Sequence, residues 1–215
     1  MIVVTACYRG HDVIKQAPPG VRAYCFTDEP DDARTKGWVA LGHRYNGELS
    51  GRYSGKAPKC APHLFDLDNL DVVWVDGSMQ YIGGDLRELL AQVPIGGVGA
   101  YAHRFRTDVY QEAEASVAPG FDRYAREPIA EQVAHYARTI GAFDTGLWEL
   151  GLVVWRGAQY EMGEAWLAEM LAWTSQDQLS FPIVARRCDV TVTTLSPGDV
   201  ISNPWFKYID HRGAG

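Results

Sequence analysis

An aspartate, a glycine and a serine close the apolar run Asp71-Val-Val-Trp-Val-Asp-Gly-Ser78. A carboxylate with a hydroxyl two residues on offers two oxygens of the kind a hard divalent cation takes, and such a cation would in turn hold phosphate. Asp-Gly is equally ordinary turn chemistry, with Gly77 letting the backbone bend, so Asp76 can also be punctuation. A second carboxylate, Asp177, stands in Ser175-Gln-Asp-Gln178. That spacing is a capping box, and it would put Asp177 in the first turn of a helix, at the positive end of the helix dipole. Four cations, Arg44, Arg52, Lys56 and Lys59, crowd the glycine-rich stretch before the apolar run. They could face phosphate there, although a charge run is commonly just a solvated face.

The elements that must position these groups follow from periodicity. Ile2 to Cys7, Val21 to Phe26 and Trp38 to Leu41 read as the first strands, with polar residues Thr27 and Asp28 ending the second. Val72 to Val75 is β-branched and aromatic throughout, which suits a strand buried on both faces. Asp76 would then sit at the carboxyl end of a central strand, where open α/β sheets bind ligands. Lys59 to Phe65 reads as helical but broken by Pro62. A capping box at Asp85-Leu-Arg-Glu88 opens a short helix, and Val98 to Ala102 is a short strand. Val109, Ala113 and Val117, then Ile129, Val133, Tyr136 and Ile140, hold a helical period, and Pro128 suits a first turn. Gly146 to Glu149 reads as a loop before the strand Gly151 to Trp155. Met162, Trp166, Met170 and Trp173 mark the core face of another helix, and Val190 to Thr194 is a late strand. Strands alternating with helices predict an α/β fold, a mostly parallel sheet flanked by helices in one domain spanning 1–215.

The bulk numbers bound the possibilities. The chain has 215 residues, 47% of them hydrophobic, enough for a sizeable core. Neither a membrane-length apolar run nor a leader is visible, so a soluble, cytoplasmic protein without a membrane span is expected. The four cysteines, Cys7, Cys25, Cys60 and Cys188, show no CxxC pairing and read as reduced thiols. A formal charge of −7 argues against broad contact with a phosphate backbone. Neither a dinucleotide glycine fingerprint nor a P-loop is present.

Five blocks occur in a distinctive order. They are Lys56-Ala-Pro-Lys-Cys-Ala-Pro-His-Leu-Phe65, Asp71 to Ser78, His103-Arg-Phe-Arg-Thr-Asp-Val-Tyr-Gln-Glu-Ala113, Gly146-Leu-Trp-Glu-Leu-Gly151 and Ser175-Gln-Asp-Gln-Leu-Ser-Phe181. Over about Thr5 to Phe181 the chain resembles a glycosyltransferase-like family of bacterial and plant proteins, long listed as a domain of unknown function, whose plant members act in pollen and seed-coat polysaccharide formation. The resemblance implies a GT-A-like glycosyltransferase with a nucleoside-diphosphate sugar donor of the UDP-linked kind, a hydroxyl acceptor such as a glycan, and Mn2+ or Mg2+ as cofactor. It implies Asp76 as metal ligand, with Ser78 and His211 as further ligands. Such enzymes usually carry a second motif carboxylate where this chain has Ser78. Thr5, Ala6, Tyr8 and Asp28 would lie along the nucleotide edge, with Asp76, Gly77 and Ser78. Arg52, Lys56, Lys59 and His63 would face the diphosphate. Asp177 would be the acceptor-side general base, with Glu149 its rival. His103, Arg104, Arg106, Gly146, Leu147, Trp148 and Gln178 would line the sugar pocket.

Two rivals remain at this level. A compact transferase could act on a hydroxylated DNA base, using a basic patch of Arg104, Arg106 and Arg123. A non-catalytic module binding a nucleotide-sugar or a glycan would explain the missing second carboxylate. A nucleotidyltransferase would require a glycine-rich basic loop near the first strand, which is absent.

Overall fold

The computed structural model describes residues 1–8, 12–42, 51–65, 67, 71–141, 144–157 and 160–209. The fold is α/β, as the alternation of periods predicts. Seven strands form the main sheet: β1 (Ile2–Cys7), β2 (Arg22–Thr27), β3 (Val39–Leu41), β4 (Val72–Val75), β6 (Val98–Ala102), β7 (Trp148–Trp155) and β8 (Val192–Thr194), in the order β3-β2-β1-β4-β7-β6-β8. A separate ribbon pairs β5 (Met79–Tyr81) with β9 (Phe206–Tyr208). β1 runs parallel to β2 on one side and to β4 on the other. The chain therefore leaves β1 in one direction and later returns on its far side, and a crevice for ligands opens at the carboxyl ends where that happens.

β7 runs antiparallel to both β4 and β6. That reversal brings the start of β7, Trp148 and Glu149, to the same edge as Asp76, whose backbone N–H donates to Gly151 O at 2.8 Å. The loop expected over Gly146 to Glu149 is thus strand from Trp148 onward. The register between β6 and β7 breaks between Ala100 and Tyr101, which pair with Val153 and Glu149. This irregularity leaves Leu150 to Leu152 unpaired with β6, as bulges do near sites, while Leu152 still pairs with Val75 of β4.

Val72, Val73, Trp74 and Val75 are all buried, alternating between two apolar layers. Burying each such side chain contributes roughly 1.5–3 kcal/mol. One layer is covered by α2 (Gly51–Cys60), α6 (Tyr160–Ala172) and α7 (Asp177–Arg187); α1 (Pro30–Thr35) and α3 (Leu86–Ala91) lie over the other. A third cluster joins α4 (Val109–Ser116) and α5 (Ile129–Thr139) to α7. Asp85 caps α3 through Arg87 N–H, as its position predicts.

Three local expectations need correction. The basic stretch is a helix from Gly51 to Cys60 despite its glycines and Pro58, and only Pro62–Phe65 forms a 3-10 turn. Burial of Ala57 and Cys60 overrides the poor local propensity. Gly55 faces the Tyr8 ring, where an added Cβ would make an ordinary contact at 4.0 Å from Cδ2. Ser175 does not cap α7. Gln176 holds the cap position without a side-chain bond, and the Ser175 hydroxyl and N–H both donate to Glu127 instead. Gly77 is required for space rather than for a bend, because a Cβ would stand 2.8 Å from Cys7 Sγ and 2.9 Å from Asp12 Oδ2.

Candidate active site at the carboxyl edge

Asp76 sits where β4 ends, beside the crevice. Trp74 and Asp76, two residues apart on one strand, point to the same face. The Trp74 indole Nε1 donates to Asp76 Oδ1 at 2.8 Å. The ammonium of Lys59, reaching down from α2, stands 3.3 Å from the same oxygen. The Asp76 side chain is nonetheless 42% exposed. Its second oxygen, Oδ2, lies on the Gly151 side, 3.7 Å from where a Cβ on that glycine would stand.

Lys59 is the hub of this edge. It is 2% exposed and binds Asp177 Oδ2 at 2.6 Å while donating to Leu150 O at 3.0 Å. That carbonyl is available because the β6–β7 ladder is interrupted there. Lys56, one helical turn earlier, bonds Asp177 Oδ1 and Ser175 O, each at 2.6 Å. Burial alone would raise the Asp177 carboxyl, but the two ammonium groups hold it far below the usual carboxylate range. Burial opposes the charge on Lys59 as well, and Asp177 and Asp76 together more than restore it. Such an aspartate stays ionised between two ammonium groups, one on each oxygen, which fits a structural anion rather than a group that collects a proton.

Arg104 Nε donates a bifurcated bond to the two oxygens of Glu149, each at 2.9 Å. Burial raises its carboxyl, against the pull of that arginine. Arg106 and His103 face the buried Glu112, whose other oxygen accepts from Gln176 Nε2 at 2.6 Å. His103 Nδ1 accepts from the backbone N–H groups of Phe105 and Arg106, fixing that turn. Burial, then Arg106 and Arg104, push the His103 pKa down to about 4. Gln178 Nε2 donates to Trp148 O at 2.9 Å. The Trp148 ring covers Gly146, where φ is +69° and a Cβ would stand 2.5 Å from Cη2. Leu147 is buried, and its carbonyl accepts from His103 N–H.

Thr5, Ala6 and Tyr8 lie at the end of β1, and Asp28 follows β2, all at the same edge through the parallel register. Thr5 is buried in the strand and Tyr8 in the core, whereas Asp28 is exposed. Among the described residues, Thr5 Oγ1 and Trp148 Nε1 are buried without a hydrogen-bond partner.

Other candidates are committed elsewhere. Arg52 donates to Glu127, Ser175 and Arg123 O, away from Asp76. His63 packs on α6, 3.3 Å from Glu164 and stacked beside Tyr160. Ser78 is buried, and its carbonyl accepts from Ile209 N–H at 2.8 Å. His211 and Arg44 lie outside the described residues. In the basic patch, Arg104 and Arg106 are neutralised by Glu149 and Glu112.

A divalent cation fits this donor set in one way. Among the described residues no group of three or more His, Cys, Asp or Glu side chains could form a cage. Asp76 offers a single outward oxygen, which suits an ion that takes its remaining ligands from phosphate and water.

No family model and no curated protein matches the chain. Among solved structures it is similar to the apo form of the bifunctional glycosyltransferase WbbM, at 15% identity and a TM-score of 0.49, over 90% of this chain and 38% of that one. It is also similar to apo mouse xyloside xylosyltransferase 1, at 11% identity and a TM-score of 0.47, over 90% of this chain and 84% of that one. The chain thus spans well under half the length of WbbM.

Sequence reading missed Trp74, Glu127 and Gln176 as partners in this edge. Trp74 carried a usable signal, its same-face spacing with Asp76. Glu127 carried none.

Proposed function

We propose that the protein is a GT-A-like glycosyltransferase that moves a sugar from a nucleoside diphosphate, UDP by preference, to a sugar hydroxyl. One observation carries the reading. The five sequence blocks, far apart along the chain, bond to one another at a single edge of the sheet. Lys59 joins Asp76 to Asp177 and to Leu150 O, Gln176 joins Glu112, Gln178 joins Trp148, and Arg104 joins Glu149. The reversal of strand order at β1, which has parallel neighbours on both sides, supports a nucleotide at that edge.

Asp76 is the residue proposed to hold a divalent ion, with His211 as a further ligand from the tail. The tail reaches this place through Ile209, bonded to Ser78 O. An ion held there would supply charge stabilisation to a departing diphosphate. Trp148 Nε1 and Thr5 Oγ1, lacking protein partners, are proposed donors toward the sugar-nucleotide. Glu149, whose carboxyl burial raises against a single arginine, is the better placed of the two proposed bases, because two lysines hold Asp177 ionised. The pairing of Arg104 and Arg106 with buried carboxylates leaves little charge for a DNA acceptor, so a glycan hydroxyl is favoured.

Among the described residues no helix is long and apolar enough to cross a membrane. The four cysteines are free thiols, which suits the proposed cytoplasmic location. Thermal shift and donor hydrolysis across a panel of UDP-sugars, with and without manganese, test the function. Metal-dependent stabilisation and slow hydrolysis by at least one donor are expected; stabilisation by none of them would sink the reading.

A further inference from the structure

The two oxygens of Asp76 are not equivalent. Oδ1 accepts from Trp74 Nε1 at 2.8 Å and lies 3.3 Å from Lys59 Nζ. Both donors are anchored. Trp74 is 2% exposed within the central strand, with the Lys59 ammonium 5.8 Å above its ring. Lys59 is held in turn by Leu150 O and Asp177 Oδ2. Releasing Oδ1 would leave a buried indole N–H without an acceptor, which is unfavourable. A carboxylate can bind an ion edge-on through both oxygens only if both are free to turn toward it.

We propose that Trp74 and Lys59 fix Asp76 as a one-oxygen ligand, and that this sets the ion the site prefers. The proposal rests on the metal-bridged donor reading above. Magnesium demands a compact octahedron, keeps waters and takes single carboxylate oxygens. Calcium takes six to eight oxygens at longer range and often uses both oxygens of one carboxylate. A pinned Oδ1 therefore favours the small octahedral ion and withholds the ligand that calcium would use. Trp74 is a positioning residue in this scheme, acting on the ion only through Asp76.

Ion selectivity separates this role from mere packing. UDP is titrated calorimetrically into the full chain in magnesium chloride or calcium chloride, and the ratio of the two affinities is read. The wild type is expected to bind UDP about tenfold or more tighter with magnesium. Trp74→Phe keeps a ring but removes the N–H, and should bring the ratio down about tenfold, toward unity. Benzothienylalanine at position 74, with sulfur in place of the N–H, keeps the shape of tryptophan and should do the same if the phenylalanine variant folds poorly. Equal weakening with both ions, leaving the ratio unchanged, would overturn the proposal. Equal UDP affinity of the wild type with the two ions overturns it too, while leaving the donor reading intact. Failure of the wild type to bind UDP with either ion removes both together.

Discussion

Asp177 and Asp76 share one lysine and have opposite surroundings. Asp177, at the start of α7, is 5% exposed and has both oxygens within 2.6 Å of ammonium groups. Asp76, at the end of β4, is 42% exposed and has one oxygen bound and one open. Sequence spacing made each a candidate for chemistry. Their surroundings divide the work: the saturated carboxylate ties α2 to α7, and the half-free one faces the crevice. A carboxylate's role follows from how many of its lone pairs the fold has already used.

The largest effect should come from the shared lysine. Lys59→Met leaves Asp177 buried with one ammonium partner and Asp76 Oδ1 with Trp74 alone, so a loss of about 3–5 kcal/mol is expected in urea denaturation. A loss below about 1 kcal/mol would mean that the buried network is not what joins the two regions. The pH dependence of the same network has a definite sign. The Asp177 carboxyl lies below its unfolded value, so its contribution is complete above about pH 4 and is lost as the pH falls further.

His103 should act in a higher window. Its folded pKa, about 4, lies below the unfolded value, so the fold favours the neutral ring. Stability is complete above the unfolded pKa of about 6.5 and falls by up to about 3 kcal/mol as the pH drops through that range toward the folded value. His103→Gln should flatten the urea-derived stability slope over that window. An unchanged slope would show that His103 ionises as readily in the fold as in the unfolded chain.

The smallest effect belongs to Arg52. Its pair with Glu127 is partly solvated, so Arg52→Gln should cost under about 1 kcal/mol. Because its guanidinium is directed at Glu127, Ser175 and Arg123 O, UDP affinity should stay within about twofold of wild type by calorimetry. A tenfold loss would return Arg52 to the phosphate side and weaken the contrast between the two regions.

The sheet was largely legible because β-branched runs such as Ile2 to Cys7 and Val72 to Val75 bury both faces and therefore carry no competing period. α2 was not, since Gly51, Gly55 and Pro58 argue against a helix locally and only packing against Tyr8 and the core reverses that. The location of Asp76 at a strand end could be read directly. The saturation of Asp177 could not, because its partners Lys56 and Lys59 arrive from α2 through the topology. Likewise, Gly146 reads as placing Glu149 in a loop, whereas pairing with β6 extends the strand to Trp148.

The division of labour is tested most directly by two isosteric variants side by side, Asp76→Asn and Asp177→Asn, each assayed for hydrolysis of a UDP-sugar with manganese and for urea stability. The account predicts that Asp76→Asn loses at least about a hundredfold in turnover with its stability within about 1 kcal/mol of wild type. Asp177→Asn should lose about 3–5 kcal/mol of stability because two buried ammonium groups lose their counter-ion. The reverse pattern, a stable but inactive Asp177→Asn beside an unstable or fully active Asp76→Asn, would contradict it.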